Sequence, residues 1–215
     1  MSEAKPYSTG EEIANSITHG LGFLLAIAAL VVLVVGAARL GDPWRVVSFS
    51  LYGASLVALY LASTLYHAVP GARVKEWLKR CDHAAIFALI AGTYTPLMLV
   101  TLRGPLGWTM AGVIWGVMVA GITMKFLFIQ RFQRLLLGAY IAMGWAAVFV
   151  VHALWQRLPG AALGWLVAGG AMYTAGVGFY VAKRLPYAHA IWHLFVLGGS
   201  ACHFFLFYLH VLPVR

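Results

Sequence analysis

An all-α fold, a polytopic membrane protein built as a bundle of seven transmembrane helices, is what this sequence predicts. Three observations carry it. Hydrophobic residues make up 62% of the 215 positions and charged residues only 10%, which leaves too little polar surface to coat a water-soluble globule. The apolar residues gather into seven windows of about 20, the length that crosses a bilayer as helix. The windows are continuous rather than alternating in ten-residue segments, which sets a membrane β-barrel aside.

Taken in order, helix 1 is expected over 16–38. Ser8 and Thr9, followed three residues later by Glu11 and Glu12, resemble a capping box, so this helix starts before the membrane. No basic leader with a short apolar core and cleavage site precedes it, so it does not read as a removable signal. Helix 2 (46–68) follows the turn Gly41-Asp42-Pro43, and Pro70-Gly71 ends it. The stretch Arg73–Cys81 interleaves Val74, Trp77 and Leu78 with cations, which suits either a short helix lying on an anionic leaflet or a solvated loop. Helix 3 (82–102) contains Pro96, expected to kink it, with Thr93 or Thr95 satisfying the freed carbonyl. Gly104-Pro105-Leu106-Gly107 leads into helix 4 (107–129). Helices 5 (134–153) and 6 (161–182) are separated by Pro159-Gly160, and Leu185-Pro186 precedes helix 7 (189–211). The seven use nearly the whole chain as a single transmembrane domain, 1–215. Gly112-x3-Gly116, the glycines within 164–170 and Gly198-Gly199 read as helix-packing positions.

The net charge of +9 is explained by topology rather than by a nucleic-acid partner. Lys5, Arg73, Lys75, Lys79, Arg80, Lys125, Arg131, Arg134, Lys183 and Arg184 flank one side of the predicted bundle. Arg39, Arg45, Arg103, Arg157 and Arg215 flank the other. The positive-inside rule then sets the N-terminus in the cytoplasm and the C-terminus outside. Cys81 and Cys202 have no metal or redox spacing, and no disulfide is assigned to them.

Against this apolar background the ionisable groups stand out, because each is costly inside a membrane. The topology brings His19, Ser63, His67, Asp82, His189 and His193 to one depth near the cytoplasmic leaflet. Ser63/His67 and His189/His193 are both i, i+4 pairs, which stack on one helix face. Two imidazoles one turn apart, a third histidine and a carboxylate can build a nitrogen-and-oxygen metal site, with zinc as the leading ion. An open zinc site acidifies a water, which is hydrolytic equipment. In that scheme Asp82 is the general base, and Ser63 orients the water or supports a developing oxyanion. Each residue also has a plainer reading: an interfacial histidine as an amphipathic anchor, and Asp82 as a solvated N-cap of helix 3. His152 and His210 fall at the external ends, and His83 should point away from Asp82. His203 lies about 15 Å beyond His193 and reads as a hydrogen-bonded bundle residue.

Three signatures together carry a resemblance: Glu12-x2-Asn15-x3-His19 before helix 1, Ser63-x3-His67 followed by Asp82, and His189-x3-His193 in helix 7. The sequence resembles the haemolysin III branch of the progestin and adiponectin receptor (PAQR) family over essentially its whole length. The resemblance implies zinc near the cytoplasmic leaflet held by His67, His189 and His193, with Asp82 at the zinc-bound water and Ser63 in the site. Relatives among membrane hydrolases, alkaline ceramidases included, imply hydrolysis of a lipid amide or ester, with membrane lipids as partners. The short N-terminal region and Asp82-His83, where the receptor branch has an aromatic, imply a bacterial cytoplasmic membrane. Glu12, Asn15 and His19 either line the cytoplasmic mouth or cap helix 1, with Glu12 inclined to the cap. Two other roles stand beside this one: a zinc-stabilised sensor or regulator of membrane lipid state, which the same ligands serve, and a cytolysin or channel, which would need a polar pore that residues such as His203 and Thr123 are too few to build.

Overall fold

A computed structural model of the chain describes residues 7–128, 131–182 and 184–213. The cations Lys5, Lys183 and Arg215 of the charge pattern lie outside the described residues. Among the described residues, seven helices are long and apolar enough to cross a membrane: α1 Thr9–Arg39, α2 Pro43–Ala68, α3 Ala72–Thr101, α4 Pro105–Leu127, α5 Gln133–Trp155, α6 Gly160–Val181 and α7 Ala188–Val211. No strand occurs among the described residues. Large apolar side chains face outward, as on the Ile13, Ile17, Leu21 and Leu24 flank of α1. In water such a surface would drive association; in lipid it is solvated.

The helix ends follow local chemistry. Ser8 Oγ accepts from the Glu11 N–H, and the Glu11 carboxylate accepts from the Ser8 N–H at 2.8 Å, closing a capping box. Asp42 caps α2 by accepting from the N–H groups of Trp44 and Arg45, with Pro43 in the first turn, where its missing donor costs nothing.

Three details depart from the expected elements. The Arg73–Cys81 stretch is neither a separate surface helix nor a loop; it is the opening of α3, which starts at Ala72 and carries Asp82 in its third turn. Beyond Pro96 the backbone widens into one π turn, Leu97–Thr101, closed by Leu102 N–H to Leu97 O at 2.8 Å. Thr93 and Thr95 donate to the carbonyls of Leu89 and Ala91 rather than to that of Gly92, which Pro96 leaves free. α5 breaks after Gly144 into the tighter turn Ala146–Val150. The Tyr94 hydroxyl fills the break, donating to Gly144 O at 2.9 Å and accepting from Ala147 N–H at 2.7 Å.

α3 is the most enclosed helix and runs through the middle of the bundle, packing against α2 and α4, while α1 packs on α2 and α7, and α6 on α7. Glycines allow the closest approaches. A Cβ on Gly22 of α1 would lie 2.6 Å from the Tyr60 ring of α2, and one on Gly199 would lie 2.8 Å from Tyr173 of α6. Gly112 and Gly116 have nothing within 4 Å of where a Cβ would stand, so that pair is not a packing seam within this chain.

Candidate metal centre

His67 occupies the last turn of α2, and His189 and His193 the first two turns of α7. The i, i+4 spacing sets both α7 rings on the face turned toward α2. The three rings each offer one nitrogen, and the three nitrogens lie within 4.8 Å of one another. His67 is 3% exposed, His189 9% and His193 0%. In all three, Nε2 is buried without a hydrogen-bond partner, a costly state for a polar atom unless something else takes its lone pair. Zinc–nitrogen bonds of about 2.0–2.1 Å in a tetrahedron set ligand nitrogens roughly 3.4 Å apart. A set within 4.8 Å reaches that geometry by side-chain adjustments of about an ångström. Donor type, burial and orphaned nitrogens therefore fit a zinc-like ion.

The opposite ring nitrogens of His67 and His193 are held by α1. His67 Nδ1 lies 2.6 Å from Glu12 Oε2 and 3.4 Å from Asn15 Nδ2. A carboxylate can only accept, so at 2.6 Å Nδ1 carries the hydrogen and donates it to Glu12, Nε2 keeps its lone pair, and the longer approach of the Asn15 amide nitrogen, itself a donor, is a contact and not a hydrogen bond. His193 Nδ1 donates to Asn15 O at 3.2 Å and lies 3.1 Å from Thr18 Oγ1. His19 stacks on His193 with ring centroids 3.4 Å apart, and both its nitrogens are buried without partners. The capping expectation for Glu12 is thus corrected: Glu11 caps α1, and Glu12, one position on, turns about 100° around the helix toward His67.

Asp82 is 1% exposed and three turns into α3, so the solvated N-cap reading fails. Ser63 is fully buried one turn before His67. Its hydroxyl lies close to Asp82 but outside hydrogen-bond geometry, and both Ser63 Oγ and Asp82 Oδ2 are without partners. Aromatic rings wall the cluster: Tyr66 at 4.6 Å from His67, and Tyr7, ahead of α1, at 5.7 Å from His67 and 5.1 Å from His189. Partial burial above all, with Tyr66, Tyr180, Glu12 and Asp82 nearby, pushes the Tyr7 phenol above its ordinary range.

Two further histidines stand apart. His203 Nε2 donates to Leu166 O at 3.4 Å, and Gly169 leaves the room its ring needs, in keeping with a bundle role. His83 lies outside the three-histidine cluster, and its backbone carbonyl accepts from Tyr140 at 2.7 Å. Both cysteines are free. Lys125, counted from sequence only as a flanking cation, is 4% exposed near the end of α4, with its ammonium 5.7 Å from the Tyr140 ring centre. Its position inside the predicted span 107–129 was the signal that could have found it.

Fold and site together define a seven-helix membrane protein with a buried three-histidine cluster at one end of the bundle. A family model described as haemolysin-III related matches residues 7–204. The chain is 47% identical over 203 residues to Hemolysin-3 of Bacillus cereus, covering 94% of this chain and 93% of that one. Against the Hemolysin-3 homolog of Bacillus subtilis it is 46% identical over 209 residues, covering 96% and 98%. Against human monocyte to macrophage differentiation factor it is 33% identical over 205 residues, covering 91% and 82%. The chain belongs to the haemolysin III branch of the PAQR family.

Proposed function

We propose that this chain is a zinc-dependent intramembrane hydrolase of a lipid amide or ester, in a bacterial cytoplasmic membrane with the N-terminus and the site on the cytoplasmic side. The observation that supports it is the set of three orphaned Nε2 atoms on His67, His189 and His193, a three-ligand set of the kind that leaves a fourth position for water. Zinc bound there supplies Lewis acidity toward a carbonyl and lowers the pKa of a water. Asp82, buried and with Oδ2 unpartnered, would serve there as the general base. Ser63, beside it, would orient a reacting oxygen or donate to a developing oxyanion. Tyr7, Tyr66 and the α1 stripe keep bulk water from the cluster, while the acyl chain of the substrate lies between helices in the bilayer. The excess of cations near the ends of α2, α3 and α4 adjoining the site supports the inside orientation.

Turnover of a panel of lipid amides and esters, with the protein in nanodiscs, tests this reading. Wild type should release fatty acid, and Asp82→Asn should do so at least about 100-fold more slowly, the usual worth of a general base. Equal release by the two sinks the assignment.

A further inference from the structure

Glu12 makes two contacts, and they join three helices. Its Oε2 lies 2.6 Å from His67 Nδ1 on α2, and its Oε1 lies 2.5 Å from Lys75 Nζ in the first turn of α3. The imidazole is fully enclosed, whereas the Glu12 and Lys75 side chains are 20% and 30% exposed. The carboxylate therefore stands at the boundary between the buried cluster and the end of the bundle. Lys75 is itself steadied, its ammonium 5.4 Å above the Tyr66 ring, and Tyr66 in turn packs on His67.

We infer that Glu12 and Lys75 are positioning residues for the metal centre: the carboxylate fixes the tautomer and rotation of His67, and the lysine fixes the carboxylate. The inference rests on the proposed metal reading and extends it to residues that touch no metal. A neutral imidazole has one N–H, and in a protein the hydrogen bonds around the ring decide which nitrogen carries it. Glu12 decides it, because an acceptor 2.6 Å from Nδ1 requires a hydrogen there and leaves the Nε2 lone pair facing His189 and His193. Partners of this type typically contribute 10–100-fold in metal affinity. Lys75 matters for a separate reason. A carboxylate against a buried ring is partly desolvated, and without a counter-charge it would turn toward water. This also gives a purpose to the early start of α3: the turn at Ala72 brings Lys75 to Glu12, which a helix starting at Asp82 would not do. A mere surface ion pair between Glu12 and Lys75 would make neither contact with His67 nor any difference to a metal.

The test uses full-length protein in nanodiscs with two readouts. In metal-stripped protein, ¹⁵N-histidine NMR should find His67 as the Nδ1–H tautomer in wild type, and as a mixture in Glu12→Ala. Zinc affinity, read by competition with a chromogenic chelator, should fall 10–100-fold in Glu12→Ala. Glu12→Gln, which can still accept from Nδ1–H, should recover part of that loss, and Lys75→Met should fall between wild type and Glu12→Ala. The thermal midpoints of the metal-free variants should match. An unchanged tautomer and unchanged zinc affinity in Glu12→Ala overturn the inference. A loss that tracks metal-free stability and is not eased by Glu12→Gln also overturns it, in favour of simple bracing. Wild type that shows the Nδ1–H tautomer yet binds no zinc removes the metal reading and, with it, this role.

Discussion

Replacing Gly22 by Ala tests whether the seating of α1 governs the candidate centre. A Cβ there would stand 2.6 and 2.7 Å from two carbons of the Tyr60 ring and 2.8 Å from a Leu197 methyl, whereas carbon atoms pack comfortably at about 3.5 Å. Some 0.7–0.9 Å must be found. Tyr60 cannot supply it cheaply, being 1% exposed and tied through its hydroxyl to Ser200 Oγ at 2.7 Å. α1 itself must then move outward, carrying Asn15 and His19, which share a stripe with Gly22. A shift of that size stretches the 3.2 Å bond from His193 Nδ1 to Asn15 O to about 4 Å, beyond hydrogen-bonding range. Overpacking costs about 1–3 kcal/mol and the lost bond about 1 kcal/mol, offset by about 1 kcal/mol from the better helix propensity of Ala. The net expectation is a destabilisation of about 1–3 kcal/mol in reversible unfolding in mixed micelles, with weaker zinc binding. Gly112→Ala, where a Cβ meets nothing within 4 Å, is the control and should be neutral or slightly stabilising. A Gly22→Ala protein as stable as the control, with wild-type zinc affinity, would show that the seating of α1 does not govern the centre.

Three other outcomes are expected. Tyr94→Phe strips the partners from Gly144 O and Ala147 N–H inside the bilayer and should cost about 1–3 kcal/mol by the same unfolding assay, whereas Tyr52→Phe, which loses one 3.4 Å contact, should cost less. Asp42→Ala removes the cap of α2 and should cost about 1 kcal/mol. Burial opposes the charged form of Asp42, but Arg45 and the N–H groups of Trp44 and Arg45 outweigh it and hold the carboxyl below its ordinary value. Its contribution is therefore complete above about pH 4 and is lost as pH falls through the lowered folded value, so the difference between wild type and Asp42→Ala, followed by thermal midpoint, should shrink only on strong acidification. Gly169→Ala drives a Cβ to 2.4 Å from the His203 ring, and limited proteolysis should report loosened packing of α6 on α7.

The seven spans were legible because bilayer thickness imposes a length that survives any detail of packing, and the predicted windows meet the observed helices within a few residues, except at the start of α1 and α3. The three histidines were legible for a related reason: i, i+4 spacing and a shared depth follow from helix geometry alone. What escaped the sequence depends on contacts between distant segments. Glu11 and Glu12 are one residue apart, and only the packed position of α2 distinguishes the cap from the partner of His67. The break in α5 is stabilised by a hydroxyl fifty residues away. Lys75 and Lys125 read as boundary cations, because charge counting records which side a lysine lies on and not whether it turns inward.

Zinc-edge X-ray absorption on protein purified without added metal tests most directly whether His67, His189 and His193 hold zinc. About one zinc per chain is expected, with three imidazole nitrogens and one oxygen at about 2.0–2.1 Å and no sulfur, and loss of that signal in His193→Ala at matched folding. A protein free of metal, or a zinc whose ligands survive the loss of His193, would contradict it.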